Sequence, residues 1–239
     1  MGINQLKVAP WYADAVSLIK PTVSKRGTIR VLEAGGGADR FVELPDAIYT
    51  VVDISPEQLT QNSYADVKLL GDIQIFDYGD RRFDLIIFWD VLEHVAEPIA
   101  AVRRAMSALD LGGIIVIKGP LLRSTKSLMT SLTPWWFHVL YYRYVLGSNM
   151  AGKPGHAPFR TEHSKGADGD ELKDLTARMG FKILAFNVYV SDQVQTLQSK
   201  VPIAFLAYSA LGAALRLFTR GRYGSRETDF LLLISKPAV

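Results

Sequence analysis

Between positions 28 and 120, short apolar runs alternate with longer amphipathic ones. The runs at 28–33 (TIRVLE), 49–54 (YTVVDI), 67–70, 83–89 (FDLIIFW) and 113–118 (GIIVIK) are rich in Ile, Val and Leu and read as strands. Between them, 55–64 and 98–109 read as helices, the first opened by Ser55-Pro56-Glu57, a helix-start signal. Runs rich in Ile and Val, separated by helix-sized segments, predict a mostly parallel sheet buried on both faces. That pattern belongs to doubly wound α/β folds, in which ligands bind beyond the carboxyl ends of the strands.

After Pro120 the rhythm breaks. Trp135, Trp136, Phe137, Tyr141, Tyr142 and Tyr144 crowd into ten positions, and a Gly/Pro/His-rich loop follows at 152–160. A helix is predicted at 170–179, ended by Gly180, then a strand at 181–190, a greasy stretch at 201–218 and a last strand at 230–234. No internal repeat or low-complexity linker appears. The expected organisation is therefore one domain over 1–239, with 121–160 and 193–226 as insertions.

With 49% hydrophobic residues and a mean hydropathy of +0.12, the 239-residue chain can build a large core, which excludes global disorder. The absence of cysteine excludes disulfides, thiolate metal sites and thiol nucleophiles. His94, His138, His156 and His163 are too scattered for a multi-histidine metal cage, and no metal is expected. The net charge of +3 hides a strong asymmetry. Between Asp110 and Glu162, and again between Asp192 and Glu227, eleven basic residues occur without one acid, which leaves the remainder of the chain at −8. Two acid-free cationic segments on an acidic body point to an anionic partner. The segment 1–7 lacks the apolar core of a signal peptide, so a cytoplasmic location is expected.

Candidate chemistry begins at Val31-Leu32-Glu33-Ala34-Gly35-Gly36-Gly37, an apolar strand running into an acid and three glycines. Glycine permits the sharp turn and a close approach of ligand to backbone. Asp53, at the tip of the next strand, can accept hydrogen bonds from both hydroxyls of a ribose. Asp72, after the third strand, can bind the exocyclic amine of an adenine. Over roughly 30–117 these residues resemble the class I S-adenosylmethionine-dependent methyltransferases, and the strand pair near the C-terminus fits that family's antiparallel sixth and seventh strands. The resemblance implies a Rossmann-like, doubly wound, mostly parallel seven-stranded sheet with the last strand antiparallel, and S-adenosyl-L-methionine as cofactor. It also implies that Gly35, Gly36 and Gly37, with Ala34, back the methionine moiety, Glu33 lies near its amino group, Asp53 and Ile54 meet the ribose, and Asp72 and Ile73 frame the adenine. The family's third glycine is replaced here by Asp39. A nicotinamide-dependent dehydrogenase would need Gly-x-Gly-x-x-Gly, and Arg40 stands where its last glycine belongs.

The segment Trp89-Asp90-Val91-Leu92-Glu93-His94-Val95 resembles the Val-Leu-Glu-His-Val signature of the methyltransferase group that includes ubiquinone-biosynthesis enzymes. Asp90 is expected at the strand tip, flanking both cofactor and acceptor. Glu93 and His94 follow about one helical turn later and can converge with it. Three roles are open: His94 as general base, the trio as ligands of a divalent cation, or Glu93 and His94 as braces of the loop. Alignment alone can suffice for methyl transfer.

The acid-free insertions are the expected acceptor side. Trp135, with its aromatic neighbours among Arg123, Lys126 and Arg143, has the character of a bilayer interface. The fifteen uncharged residues between Lys200 and Arg216 are too few for a span. A surface-lying helix, a re-entrant element and a buried or dimer-interface helix are all compatible with that stretch. A nucleic-acid partner is not expected, since phosphate-tracking surfaces rarely carry such an apolar run. His156 and Arg160 are candidates to close over the acceptor, and Pro154 and Pro158 to stiffen the crossover. The expected function is O-methylation of a small or lipid-linked acceptor, a glycan or quinone-type precursor, at the cytoplasmic membrane face. The alternative is a non-catalytic scaffold or membrane module that keeps the cofactor pocket.

Overall fold

The computed structural model describes residues 10–23, 27–38, 40–162 and 164–238; the 1–7 segment, Asp39 and His163 lie outside the described residues. Among the described residues the sheet has seven strands: β1 (Ile29–Ala34), β2 (Ala47–Asp53), β3 (Val67–Leu70), β4 (Phe83–Trp89), β5 (Leu109–Pro120), β6 (Lys182–Tyr189) and β7 (Asp229–Ser235). Their order is β3-β2-β1-β4-β5-β7-β6. β1 to β5 pair in parallel, and β7 lies between β5 and β6, antiparallel to both. Only β7 therefore runs against the rest, as a Rossmann-like methyltransferase sheet requires.

Side chains alternate between the two faces with the period of two that a strand imposes. Leu32, Ile86, Phe88, Ile115, Ile117 and Leu232 belong to one buried cluster. Val31, Leu85, Ile87, Ile114, Val116 and Leu231 belong to the other. α1 (Pro10–Val23) covers the second face with Tyr12, Ala15 and Ile19. The first face is covered by α3 (Pro98–Ala108), through Ala101, Val102 and Ala105, and by α6 (Gly169–Arg178), through Leu172 and Leu175. This double cover is why the central strands tolerate no polar alternation.

Some predicted boundaries shift for identifiable reasons. α2 (Pro56–Gln61) stops short of residue 64 because Asn62 leaves helical geometry and its side-chain oxygen accepts from the Tyr64 and Ala65 N–H groups. Such local bonds compete with the helix. β5 begins at Leu109 rather than 113, pairing with Phe83 before a register shift. Glu93 and His94 are not on the following helix: Leu92–His94 is a single 3-10 turn, and α3 starts only at Pro98. α1 is not among the predicted elements. Four further helices lie after β5 and after β6: α4 (Thr125–Leu132), α5 (Trp135–Tyr144), α7 (Asp192–Lys200) and α8 (Pro202–Phe218).

At the amino end of the strands, Asp84 accepts from Arg30 three times, at the backbone N (2.9 Å), Nε (3.1 Å) and Nη2 (3.1 Å), and its side chain is buried. Arg30 also reaches Asp110. Asp84→Ala would strand the Arg30 amide, so it is expected to destabilise the fold by about 2 kcal/mol. Urea unfolding measures this; an unchanged midpoint would mean that the clamp contributes nothing.

Candidate functional site

Leaving β1, the chain turns at Gly35 (φ +69°) and Gly37 (φ +53°). A Cβ on Gly35 would lie 2.2 Å from Val91 Cγ2, and one on Gly37 would lie 2.6 Å from Gln58 Oε1. Both dihedral and space thus demand glycine. Asp53 ends β2 beside this turn, nearly buried; its carboxylate accepts from the Gly37 N–H (3.2 Å) and the Ser55 N–H (2.8 Å). Asn62 closes the ring by donating to the Gly37 carbonyl (2.7 Å).

The other predicted cofactor residues spread around this turn. Glu33 is buried and accepts from the Phe41 amide and the Tyr64 hydroxyl, so it holds the following loop. Ala34 and Gly36 complete the strand exit, with Gly36 against Glu33. Ile54 is 72% exposed beyond Asp53. Asp72 lies after β3, its carboxylate accepting from the Gln74 backbone and side chain. Ile73 points into the core instead of outward.

A second polar cluster gathers at the tips of β4, β5 and β7. Asp90 takes a left-handed backbone conformation (φ +50°), unusual for any residue but glycine. Its carboxylate pairs with the buried Lys118 ammonium, which also lies 3.6 Å from Asp229 and 5.1 Å from the centre of the Trp89 ring. Asp229 is shared with Lys126 of α4. Burial by itself would push Lys118 down, but Asp90 and Asp229 outweigh it and hold the ammonium well above its ordinary value.

Glu93 is buried beside these charges, and its Oε2 has no hydrogen-bond partner. Burial first and the Asp90 charge second push it up to about 8, so it is a neutral acid at pH 7. His94 faces the Arg160 carbonyl through Nδ1 (2.7 Å). A carbonyl only accepts, so Nδ1 carries the proton and Nε2 keeps a lone pair. Burial lowers the His94 pKa, which favours this neutral form. Asp90, Glu93 and His94 thus lie in one neighbourhood, with both Glu93 and His94 feeling the charge of Asp90. Among the described residues no group of three or more His, Cys, Asp or Glu side chains is placed to hold a metal ion.

The Gly/Pro-rich loop bridges the two clusters. Gln58 of α2 donates to the Gly155 carbonyl, while the Glu162 N–H donates to the Glu93 carbonyl (2.8 Å) and Phe159 meets the His94 ring edge-on. Trp135 supports this strap, donating from Nε1 to the Pro158 carbonyl (3.3 Å). Arg160 acts on His94 through its backbone oxygen, and the His156 amide donates to the Lys153 carbonyl within the loop. Lys118, Asp229 and Gln193, which were not singled out from the sequence, complete the wall together with Lys126 and Tyr142 of the aromatic, basic segment. Gln193 donates to the Tyr142 hydroxyl (3.2 Å) and its carbonyl accepts from Tyr141 (2.8 Å). Burial, then Asp90, hold the Tyr142 phenol up at about 12. The one available signal was Lys118 ending an otherwise apolar strand.

This arrangement agrees with comparisons to known proteins. No curated protein sequence matches the chain. Among solved structures it is similar to an S-adenosylmethionine-dependent methyltransferase from Archaeoglobus fulgidus (16% identity, 94% of this chain and 92% of the other, TM-score 0.55). It is similar also to the N-methyltransferase NodS from Bradyrhizobium japonicum WM9 in complex with S-adenosyl-L-homocysteine (14%, 98% and 91%, TM-score 0.53). The cyclase SpnF is a third neighbour (18%, 95% and 82%, TM-score 0.52), a reminder that a shared fold does not fix a reaction. The model of a family described as a methyltransferase domain matches residues 8–185. With the glycine turn, the strand-tip carboxylates and the reversed seventh strand, this means that the chain belongs to the methyltransferase-domain family, in its class I, S-adenosylmethionine-dependent form.

Proposed function

We propose that this protein O-methylates a small or lipid-linked acceptor, a glycan or quinone-type precursor, at the cytoplasmic face of a membrane. The observation that carries the reading is the pairing, under one strap, of a glycine turn with a strand-tip acid on one side and a proton-handling trio on the other. The residues fit S-adenosyl-L-methionine by their chemistry. Asp53 and Asp72 offer carboxylate lone pairs to a ligand rich in hydroxyl and amino donors, and the side-chain-free Gly35–Gly37 path lets a ligand approach the backbone. In that reading Gly35, Gly36 and Gly37 back the methionine moiety with Ala34 and Glu33, Asp53 and Ile54 meet the ribose, and Asp72 frames the adenine, with Ile73, whose side chain packs into the core, offering only its backbone. When bound, the cofactor supplies an electrophilic methyl group on a sulfonium.

The chain's own residues do the rest. His94 Nε2 takes the acceptor's hydroxyl proton as the oxygen attacks, while its Nδ1–H keeps donating to the Arg160 carbonyl. Glu93, held neutral, donates a hydrogen bond from its unpartnered carboxyl group. Asp90, fixed by Lys118, orients the acceptor, and His156, Arg160 and Trp135 form the strap that excludes water. The whole chain works as one domain, with 121–160 and 193–226 as acceptor-side insertions. The acceptor's location at a membrane is supported by the absence of acids from both insertions and by their exposed apolar side chains.

Calorimetry with S-adenosylhomocysteine tests the cofactor half of the reading. Binding is expected, and Asp53→Ala should weaken it about tenfold or more; equal binding by both proteins would overturn the assignment. Methyl-labelled cofactor incubated with the protein and a membrane extract should place label in a small extractable molecule, and His94→Ala should reduce it. Cofactor binding without any transfer would favour the non-catalytic scaffold.

Glu93 generates a separate prediction. Its pKa is raised from 4.5 to about 8, so the folded protein keeps a proton that the unfolded chain loses. Stability from this group is complete below about pH 4.5 and is lost as pH rises to about 8. Glu93→Gln should therefore gain on the parent by roughly 3.5 kcal/mol between about pH 5 and pH 8, read from urea melts. Parallel pH profiles would mean that Glu93 is ionised in the fold.

A further inference from the structure

α8 has an inward stripe of Phe205, Tyr208, Gly212 and Leu215, at alternating spacings of three and four. A Cβ on Gly212 would lie 2.7 Å from Thr125 Oγ1, so this stripe sits tightly on α4. Ala214 and Arg216 beside the stripe are half-buried, and the remaining positions of the helix face out. Apart from Ser209, each exposed residue from Pro202 to Phe218 is apolar. Exposure reaches 82% at Ile203, 68% at Leu206, 77% at Leu217 and 85% at Phe218. A helix on a water-facing surface carries polar residues on that side; this one does not, so something covers it.

α5 presents a matching outer stripe. Trp136, Leu140 and Tyr144 recur every fourth residue, with Trp136 61% and Tyr144 75% exposed. The two helices are neighbours: Lys200, just before α8, donates to the Val145 carbonyl that ends α5 (2.9 Å). Basic side chains frame the surface. Lys200 precedes α8, and the exposed Arg220, Arg222 and Arg226 follow it, with no acid between Asp192 and Glu227.

We propose that α8 and the outer stripe of α5 form one docking surface for a bilayer containing anionic lipid, with α8 lying in the plane of the interface. A helix of 17 residues is roughly 26 Å long, short of the hydrocarbon core. Among the described residues no helix is long and apolar enough to cross a membrane. Aromatic rings and leucines enter the acyl boundary while arginines meet the headgroup phosphates. Charge argues against a second copy of this chain as the cover, because two such surfaces would bring cationic segments together with no acid to offset them. This deepens the membrane-face part of the function proposed above and rests on that reading only for where the acceptor is met.

Flotation of the full chain, without cofactor, tests it on phosphatidylcholine vesicles with and without about one third phosphatidylglycerol. The protein should float with the anionic vesicles and stay behind with the neutral ones. Leu206→Glu combined with Phe218→Glu should cut flotation about tenfold. Arg220→Gln with Arg222→Gln should erase the preference for anionic lipid. All four positions are exposed, and unchanged S-adenosylhomocysteine binding by the variants verifies their fold. Failure to float with either vesicle, equal flotation with both, or a dimer that Leu206→Glu dissociates would each overturn the proposal. Since vesicle binding needs neither cofactor nor acceptor, its failure is distinct from failure of the cofactor calorimetry.

Discussion

The direction in which the sheet is wound governs the site. From β1 the chain builds outward to β2 and β3 on one side and, after crossing back, to β4 and β5 on the other. The connections leaving β1 and β4 therefore diverge, and a crevice opens at the carboxyl ends of those two strands. Its floor is main chain from two strands bent sharply in neighbouring positions. Gly35 must be left-handed and without a side chain because Val91, just beyond the end of β4, occupies the space a Cβ would need. Asp90 is left-handed in turn, with its backbone N–H on the Lys118 carbonyl at 3.1 Å. Strain of that kind persists where surrounding contacts over-determine it.

The crevice concentrates charge that the rest of the core excludes. Lys118 and Asp229 are buried at the end of otherwise apolar strands, where neither would be tolerated alone. Together with Asp90 and Lys126 they form a chain of alternating sign, so each burial penalty is offset by a neighbour of opposite charge. Glu93 falls outside that alternation. With anionic Asp90 nearby and no partner for Oε2, its cheapest state is protonated. The same fold thereby holds an anionic carboxylate and a neutral carboxylic acid within one small volume, the arrangement that separates acid from base roles.

The insertions have two faces with unlike chemistry. Inward, Lys126, Tyr142 and Gln193 finish the wall of the charge cluster. Outward, α5 and α8 expose aromatic and aliphatic side chains. Trp135 joins the two, since it belongs to the aromatic helix yet holds the strap through Pro158, and the strap in turn fixes the His94 tautomer through Arg160. A disturbance of the outer helices thus has a short covalent and hydrogen-bonded route to the imidazole.

Much of the framework was legible from residue pattern because it follows from local rules. The predominantly apolar runs at 83–89 and 113–118 require a strand buried on both faces, and Glu33-Ala34-Gly35-Gly36-Gly37 requires a tight turn after one. The mild excess of hydrophobic residues and the acid-free segments were likewise visible in the linear sequence. Pairing over long separations was not. Nothing local says that Lys118 will meet Asp229 across 111 positions, that Asn62 will end a helix by turning to Gly37, or that Arg160 will offer its carbonyl to His94. Glu93 and His94 look the same on a helix as on a 3-10 turn until the strap packs against them. The sequence by itself determined the seven strands, the strand-tip acids and the hydrophobic excess, since these depend on neighbours a few residues apart. Only the tertiary structure decided which charges share a volume, which tautomer the histidine holds and which side of the apolar helices is left uncovered, because desolvation and close packing act between residues that the chain keeps far apart.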